Sequence, residues 1–330
     1  MSKHFRWIHL HSKFAAVLGL SITVILLNIA AYKHAHAMLN FAQAGGRTEP
    51  PESLSLWQKI KILLTGVHIP KPLNHSTPDS WGLPFETHRF KVNHKIELEA
   101  WHIPHPQAKG LVLLFHGYAS CKSRLLPEAN ILHELGFATF LVDFRGSGGS
   151  SDSETSIGFY EADDVVKAIE YIRSISAHQP LILYGRSMGG AAILRAIYAN
   201  GIQPDAIIIE AVFDKMLSTI QNRFAAMGVP SFPAAQLLLF WGSVQSRYSG
   251  FKHNPVEYAT RVQCPVLMLY GTDDPRATIK EGMAVFQSLD GKKQFEAFVG
   301  VGHEAYLAAK PHQWQYAVAQ FLVQYHDTTT

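Results

Sequence analysis

Apolar positions along this chain fall into three regimes. Residues 14–32, FAAVLGLSITVILLNIAAY, form an unbroken run without a charge. As a helix rising ~1.5 Å per residue, this run would span about 28 Å, enough to cross a bilayer. The second regime is amphipathic: Leu56, Trp57, Ile60, Leu63 and Leu64 recur at helical spacing beside Lys59 and Lys61, with Gly66 as a stop. It predicts a short helix that lies on a membrane surface or packs against a globular domain. In the third regime the chain alternates loosely from Thr87 to His105 around Asn93-His94, as a hairpin does, and then the period changes. Short, nearly continuous apolar runs at Leu111–Phe115, Ala138–Val142, Leu181–Tyr184, Ala206–Ile209 and Val266–Tyr270 read as strands buried on both faces.

Helix-length stretches separate these runs: Lys122–Leu135, Tyr160–Ile175, Ser187–Asn200 and Arg276–Leu289. The alternation predicts an α/β domain with a mostly parallel sheet, closed by a strand at Phe295–Val299 and a helix at Trp314–Tyr325. One segment, Phe213 to Thr260, is too long for a plain crossover. It carries two helical patterns, Met216–Met227 and Ala234–Arg247, separated by Pro230 and Pro233, and reads as a cap over the carboxyl ends of the strands. The expected organisation is thus residues 1–43 as a membrane anchor or signal peptide, 44–85 as a linker and juxtamembrane helix, and 86–330 as the main domain with an insertion at about 213–260.

Composition narrows the function. With 47% hydrophobic residues, 17% charged residues and 2 cysteines, the chain is a packed globular protein and not a disulfide-stapled one. A net charge of +3 spread along the chain supplies no footprint for nucleic acid. Eighteen histidines include no zinc spacing such as H-E-x-x-H, so no metal or cofactor is expected. Lys3, Arg6 and Lys13 precede the first apolar run and Lys33 alone follows it closely, which puts the amino end in the cytoplasm and the main domain outside it. Ala35-His36-Ala37 also resembles a signal-peptidase site, the alternative being a secreted or periplasmic protein. The length of the run favours an uncleaved, single-pass anchor.

The chemistry is concentrated in four places. Gly185-Arg186-Ser187-Met188-Gly189 fits G-x-S-x-G between a strand and a helix, the turn that lifts a serine hydroxyl above a sheet. A serine needs a base, and His303, in Gly300-Val301-Gly302-His303-Glu304 after the last strand, is the candidate. The base needs an acid. Gly271-Thr272-Asp273-Asp274-Pro275 offers Asp274 first and Asp273 second, with Asp214 a more distant third. Backbone amides of Tyr118 and Met188 would receive an oxyanion, while His116 precedes the serine and orients its loop. Candidate acyl-binding residues in the cap are Phe224, Met227, Phe232, Leu237, Leu238, Phe240 and Trp241, an apolar lining that suits a shallow pocket for short to medium acyl chains.

On Phe115-His116-Gly117, Asp143-Phe144-Arg145-Gly146-Ser147-Gly148-Gly149-Ser150, the Ser187 turn, Gly271–Asp274 and Gly302-His303, the sequence from about Glu86 onward resembles the alpha/beta-hydrolase superfamily, in its small-cap esterase and serine-aminopeptidase-like branch. The resemblance implies the alpha/beta-hydrolase fold, a mostly parallel central sheet flanked by helices with a small helical cap, to which this chain adds the N-terminal transmembrane helix predicted by its first apolar run. It implies a serine hydrolase, carboxylesterase-like, working through Ser187, Asp274 and His303 on a small-molecule acyl ester. It also implies that the Asp143–Ser150 loop is structural. Peptidase, thioesterase and lipase activities of the same fold remain alternatives, as does a binding protein that has lost catalysis. Peptidases of this branch hold the substrate amine with acidic residues of a larger cap, and the 213–260 segment carries only Asp214 and Glu257.

Overall fold

A single helix, α1 (Lys3–Leu39), opens the computed structural model, which describes residues 3–49, 53–176 and 180–327. Within these ranges the side chains of residues 3–12, Ile60, Leu63, Leu64 and 324–327 lie outside the description, so three of the five residues on the expected apolar face of the second helix are not placed. The stretch Lys13–Leu39 of α1 is long and apolar enough to cross a membrane. Seven residues of helix follow Tyr32, because nothing between Lys33 and Leu39 breaks it. Helix α2 (Leu56–Thr65) begins at a capping box between Ser55 and Gln58 and ends at Gly66.

The chain directly after α1, at the end of the segment read as the anchor, is laid on the main domain and on the stretch read as a linker. Asn40 bridges Glu154, Ala42 bridges Pro70, and the amide of Phe41 donates to the Ser153 carbonyl at 2.7 Å.

The hairpin β1 (Glu86–Lys91) and β2 (Glu97–Ile103) forms one antiparallel edge of an eight-stranded sheet. The strands β3 (Leu111–Phe115), β4 (Ala138–Val142), β5 (Leu181–Arg186), β6 (Ala206–Glu210), β7 (Val266–Gly271) and β8 (Lys293–Phe298) complete it in the order β1-β2-β4-β3-β5-β6-β7-β8. From β4 to β8 every pairing is parallel. All residues of β3, β4, β6 and β7 are buried, which is why their sequences are unbroken apolar runs and not alternating ones.

Helices α3 (Leu126–Glu134), α4 (Glu161–Ile175) and α5 (Met188–Asn200) connect the first parallel strands, α9 (Ile279–Ser288) connects the last two, and α11 (Pro311–Asp327) follows β8. Two apolar clusters, one on each side of the sheet, form the core. Ile169, Ile193 and Ile209 belong to one, and Leu114, Tyr184 and Trp314 to the other. Between β6 and β7 the chain forms α6 (Met216–Met227), α7 (Ala234–Ser246) and the single turn α8 (Pro255–Tyr258); a further single turn, α10 (Tyr306–Ala309), precedes α11. The far end of this insertion is tied down by buried His253, whose Nε2 lies 3.1 Å from the Ile157 carbonyl and whose Nδ1 lies 3.2 Å from the Tyr258 hydroxyl. Burial holds this imidazole down to about 4, so it is neutral at physiological pH.

Candidate active site

Ser187 sits between β5 and α5 with φ 51° and ψ −109°, a conformation a non-glycine residue adopts only where its surroundings enforce it. Its amide donates to the Glu210 carbonyl at 2.7 Å and its carbonyl accepts from the Ala191 amide at 3.0 Å. The flanking glycines let strand and helix approach. A Cβ on Gly185 would lie 2.6 Å from the backbone of Gly189 and Gly190, and one on Gly189 would lie 2.3 Å from the Phe115 carbonyl oxygen. Gly189→Ala is therefore expected to destabilise the fold by about 3 kcal/mol, read as a clear fall in Tm. An unchanged Tm would mean that strand and helix can separate without cost.

Below this turn lies a buried charge network. The Arg186 guanidinium donates from Nε to Glu210 at 3.0 Å and from a terminal nitrogen to Glu128, and the Trp314 indole donates to the other Glu210 oxygen. Burial, with Glu210 adding to it, pushes the Glu128 carboxyl up even though Arg186 pulls it down. Burial works against the charge on Arg186, but Glu128 and Glu210 outweigh it and keep the guanidinium protonated. The residue beside Ser187 is thus fixed from two sides.

His303, in the loop after β8, meets Asp274 across 2.6 Å from Nδ1 to Oδ2. Asp274 is buried, and its other oxygen accepts from the amides of Arg276 (2.8 Å) and Ala277 (2.9 Å). Asp273 is exposed and accepts from its neighbour Thr272, and Asp214 accepts from the Lys215 amide. Of the three carboxylates considered from sequence, Asp274 is the one that reaches His303. His116 is buried and engaged at both nitrogens. The Phe144 amide donates to Nε2 at 3.1 Å, so Nδ1 carries the proton and gives it to the Gly117 carbonyl at 2.8 Å. Burial lowers its pKa, which matches a neutral ring that holds the loop. Asp143, in the glycine-rich loop, pairs with buried Lys122 and accepts from Asn74 and from the Gly149 amide, a structural set of contacts.

Ser187 and His303 line one cavity of about 790 Å³, its open mouth included, together with Tyr118 and Met188. Gly117 lies against the serine turn, where a Cβ would stand 3.7 Å from that of Ser187. The insertion covers this cavity with one face of each long helix: Met216, Ile220 and Arg223 from α6, and Leu238, Leu239 and Ser243 from α7. Of the seven apolar residues expected to line it, only Leu238 does so. Phe224 packs half-buried toward the core, while Met227 and Leu237 are half-buried outside the cavity. Phe232 and Phe240 face outward, and Trp241 turns to α1, its ring edge-on to Tyr32 at 5.5 Å. The correction has a simple cause: apolarity marks a helix as amphipathic without saying which apolar face meets the cavity. The i, i+4, i+7 row Met216, Ile220, Arg223 was readable as one face, but its arginine disguised it.

Three lining residues, Ala35, Met38 and Leu39, come from α1, which the sequence places in a membrane anchor or signal peptide and not in the site. Elsewhere, Glu86, His88 and His102 bring possible ligand atoms within 4.8 Å of one another on the β1–β2 edge.

Comparison with known proteins follows from this geometry. The family model described as serine aminopeptidase, S33, matches residues 106–248. The fold is similar to that of the esterase Pf2001 of Pyrococcus furiosus, with a TM-score of 0.65 and 17% identity, covering 77% of this chain and 96% of that one. The chain has the alpha/beta-hydrolase fold. The chain is also similar to two curated relatives. It is 32% identical over 143 residues to the uncharacterized membrane protein YNL320W of Saccharomyces cerevisiae, covering 42% of this chain and 50% of that one. To the lysophosphatidylserine lipase ABHD12 of Rattus norvegicus it is 24% identical over 193 residues, covering 57% of this chain and 47% of that one. The matches thus span about half of these two relatives. The fold and these similarities accord with a hydrolase, and the long apolar helix accords with association with a membrane.

Proposed function

We propose that this alpha/beta-hydrolase is a membrane-anchored serine esterase. The observation that carries the reading is Ser187 on a strained turn, sharing one cavity with a histidine whose Nδ1 lies 2.6 Å from a buried carboxylate. In the mechanism, Ser187 Oγ attacks the ester carbonyl as His303 Nε2 takes its proton. The amides of Tyr118 and Met188 receive the oxyanion. Collapse of the tetrahedral intermediate expels the alcohol, which takes the proton from His303 and leaves an acyl-serine. Water then attacks with His303 again as base, releasing the acid and restoring the hydroxyl. Asp274 keeps the Nδ1–H tautomer and stabilises the imidazolium.

The cavity supports ester over peptide. Among its described lining residues there is no carboxylate to hold a substrate amine, while Arg223 and Arg276 are present. The names of an esterase and a lysophosphatidylserine lipase among the similar proteins point the same way. Fluorophosphonate labelling of Ser187 and a panel of p-nitrophenyl esters test the reading. Absence of both labelling and hydrolysis would overturn it.

We read α1 as an uncleaved anchor with its amino end cytoplasmic and the catalytic domain on the other side. The protein should then remain with membranes through a high-salt wash and leave them in detergent, since nineteen uncharged residues hold far more firmly than a surface helix. Release by salt alone would rule out a spanning anchor.

A further inference from the structure

The end of α1 is built into the catalytic domain from two sides. On one side it packs on α7: the Trp241 indole donates to Asn28 Oδ1 at 3.1 Å, and the Gln245 side-chain amide donates to the Tyr32 carbonyl at 3.0 Å. Gly242 faces it closely, since a Cβ there would stand 4.0 Å from Ala35 Cβ and Leu39 Cδ1. On the other side the Tyr118 hydroxyl donates to the Met38 carbonyl at 2.6 Å and the Thr155 amide donates to the Leu39 carbonyl at 2.9 Å. The burial pattern agrees. Ala31, Ala35 and Leu39 form a buried i, i+4, i+8 row, whereas Phe14, Ile25 and Ile29 are exposed. Ala35, Met38 and Leu39 therefore wall the cavity that holds Ser187 and His303, and Tyr118, beside the serine, is bonded to the same turn of helix.

The surroundings of this seam are apolar too. Phe240 and Val244 of α7 stand exposed alongside exposed Ile29 and Tyr32 of α1. Lys59 ties α2 to the end of α6 through the Met227 carbonyl at 3.0 Å, and α2 presents exposed Leu56 and Trp57. Such apolar side chains around the stem of a spanning helix are suited to the boundary between lipid headgroups and acyl chains.

Resting on the esterase reading above, we propose that the last two turns of α1 are specificity-determining parts of the active site. Ala35, Met38 and Leu39 shape the acyl pocket, and the substrate is an ester whose long acyl chain is dissolved in the bilayer and reaches Ser187 along the α1–α7 seam. The expected restriction to short and medium chains assumed a cap acting alone. With the anchor as a third wall the pocket extends toward the lipid.

The test uses the full-length chain in detergent micelles and compares kcat/KM for p-nitrophenyl decanoate and acetate. Each methylene buried is worth roughly fourfold in binding, so an aromatic ring that closes two positions should lower the decanoate-to-acetate ratio by more than about tenfold. That is the result expected for Ala35→Phe. Met38→Ala opens the same wall and should move the preferred chain length upward across the series to palmitate. Leu18→Phe, on the exposed stretch of α1, should leave ratio and preference unchanged. Fluorophosphonate labelling of each variant reports an intact site, and should Ala35→Phe fail to label, Met38→Ala decides. A wild-type ratio in Ala35→Phe that labels, with no shift in Met38→Ala, would overturn the proposal, as would purified protein beginning at Met38. Wild type that neither labels nor hydrolyses any ester would defeat the esterase reading itself and this proposal with it, whereas active wild type with insensitive variants defeats this proposal alone.

Discussion

Replacing Ser187 with alanine is expected to remove about a millionfold of the esterase rate, a loss on the scale seen when a serine nucleophile is deleted. The fold should not notice. The turn is held by backbone contacts, from the Ser187 amide to Glu210 and from the Ala191 amide to Ser187, and by glycines packed against neighbouring backbone, none of which involves the hydroxyl. The residual rate would come from the amides of Tyr118 and Met188 and from binding in the cavity. The measurement is kcat/KM on a p-nitrophenyl ester beside a thermal melt. Activity within tenfold of wild type in the well-folded variant would remove Ser187 from the mechanism.

The second large effect separates two adjacent aspartates. Asp274→Asn should lower kcat by about 10⁴, while Asp273→Asn should change it by no more than a few-fold. At position 274 one oxygen already accepts from two backbone amides, and an asparagine would keep its carbonyl oxygen there. Its amino group would then face His303 Nδ1, which must become an acceptor, moving the ring proton to Nε2 where the serine proton is to be received. Asp273 is exposed and bonded to Thr272, so nothing at His303 depends on it. The opposite ranking of the two variants would transfer the acid role to Asp273.

Much of this arrangement was legible because buried parallel strands leave a plain mark. Leu111–Phe115 and Ala138–Val142 were delimited to the residue. The next two strands run further than their apolar runs, to Arg186 and Glu210, because these residues pair in register and neutralise each other. A charge that ends an apolar run in sequence need not end the strand. Helix α9 starts at Ile279 and not at Arg276, since Thr278 and Glu281 form a capping box and the preceding residues are occupied in binding Asp274. The chain order of serine, aspartate and histidine was readable, whereas the cavity wall was not. Facing is a matter of helix rotation, and α1 is apolar on its exposed side as well as on the side that meets the cap. Only its small residues, Ala31 and Ala35, hinted at close packing.

The contact between Trp314 and Glu210 joins the final helix to the middle of the sheet. Trp314 is fully buried, and the carboxylate it binds also holds Arg186, the residue immediately before the serine. Peeling α11 away would strip one partner from a buried anion and so loosen the turn, although Trp314 lies 104 residues beyond Glu210 in the chain. Helix α11 is in this sense a latch on the centre: until it docks, the domain can have its strands in order and still lack a rigid reaction centre.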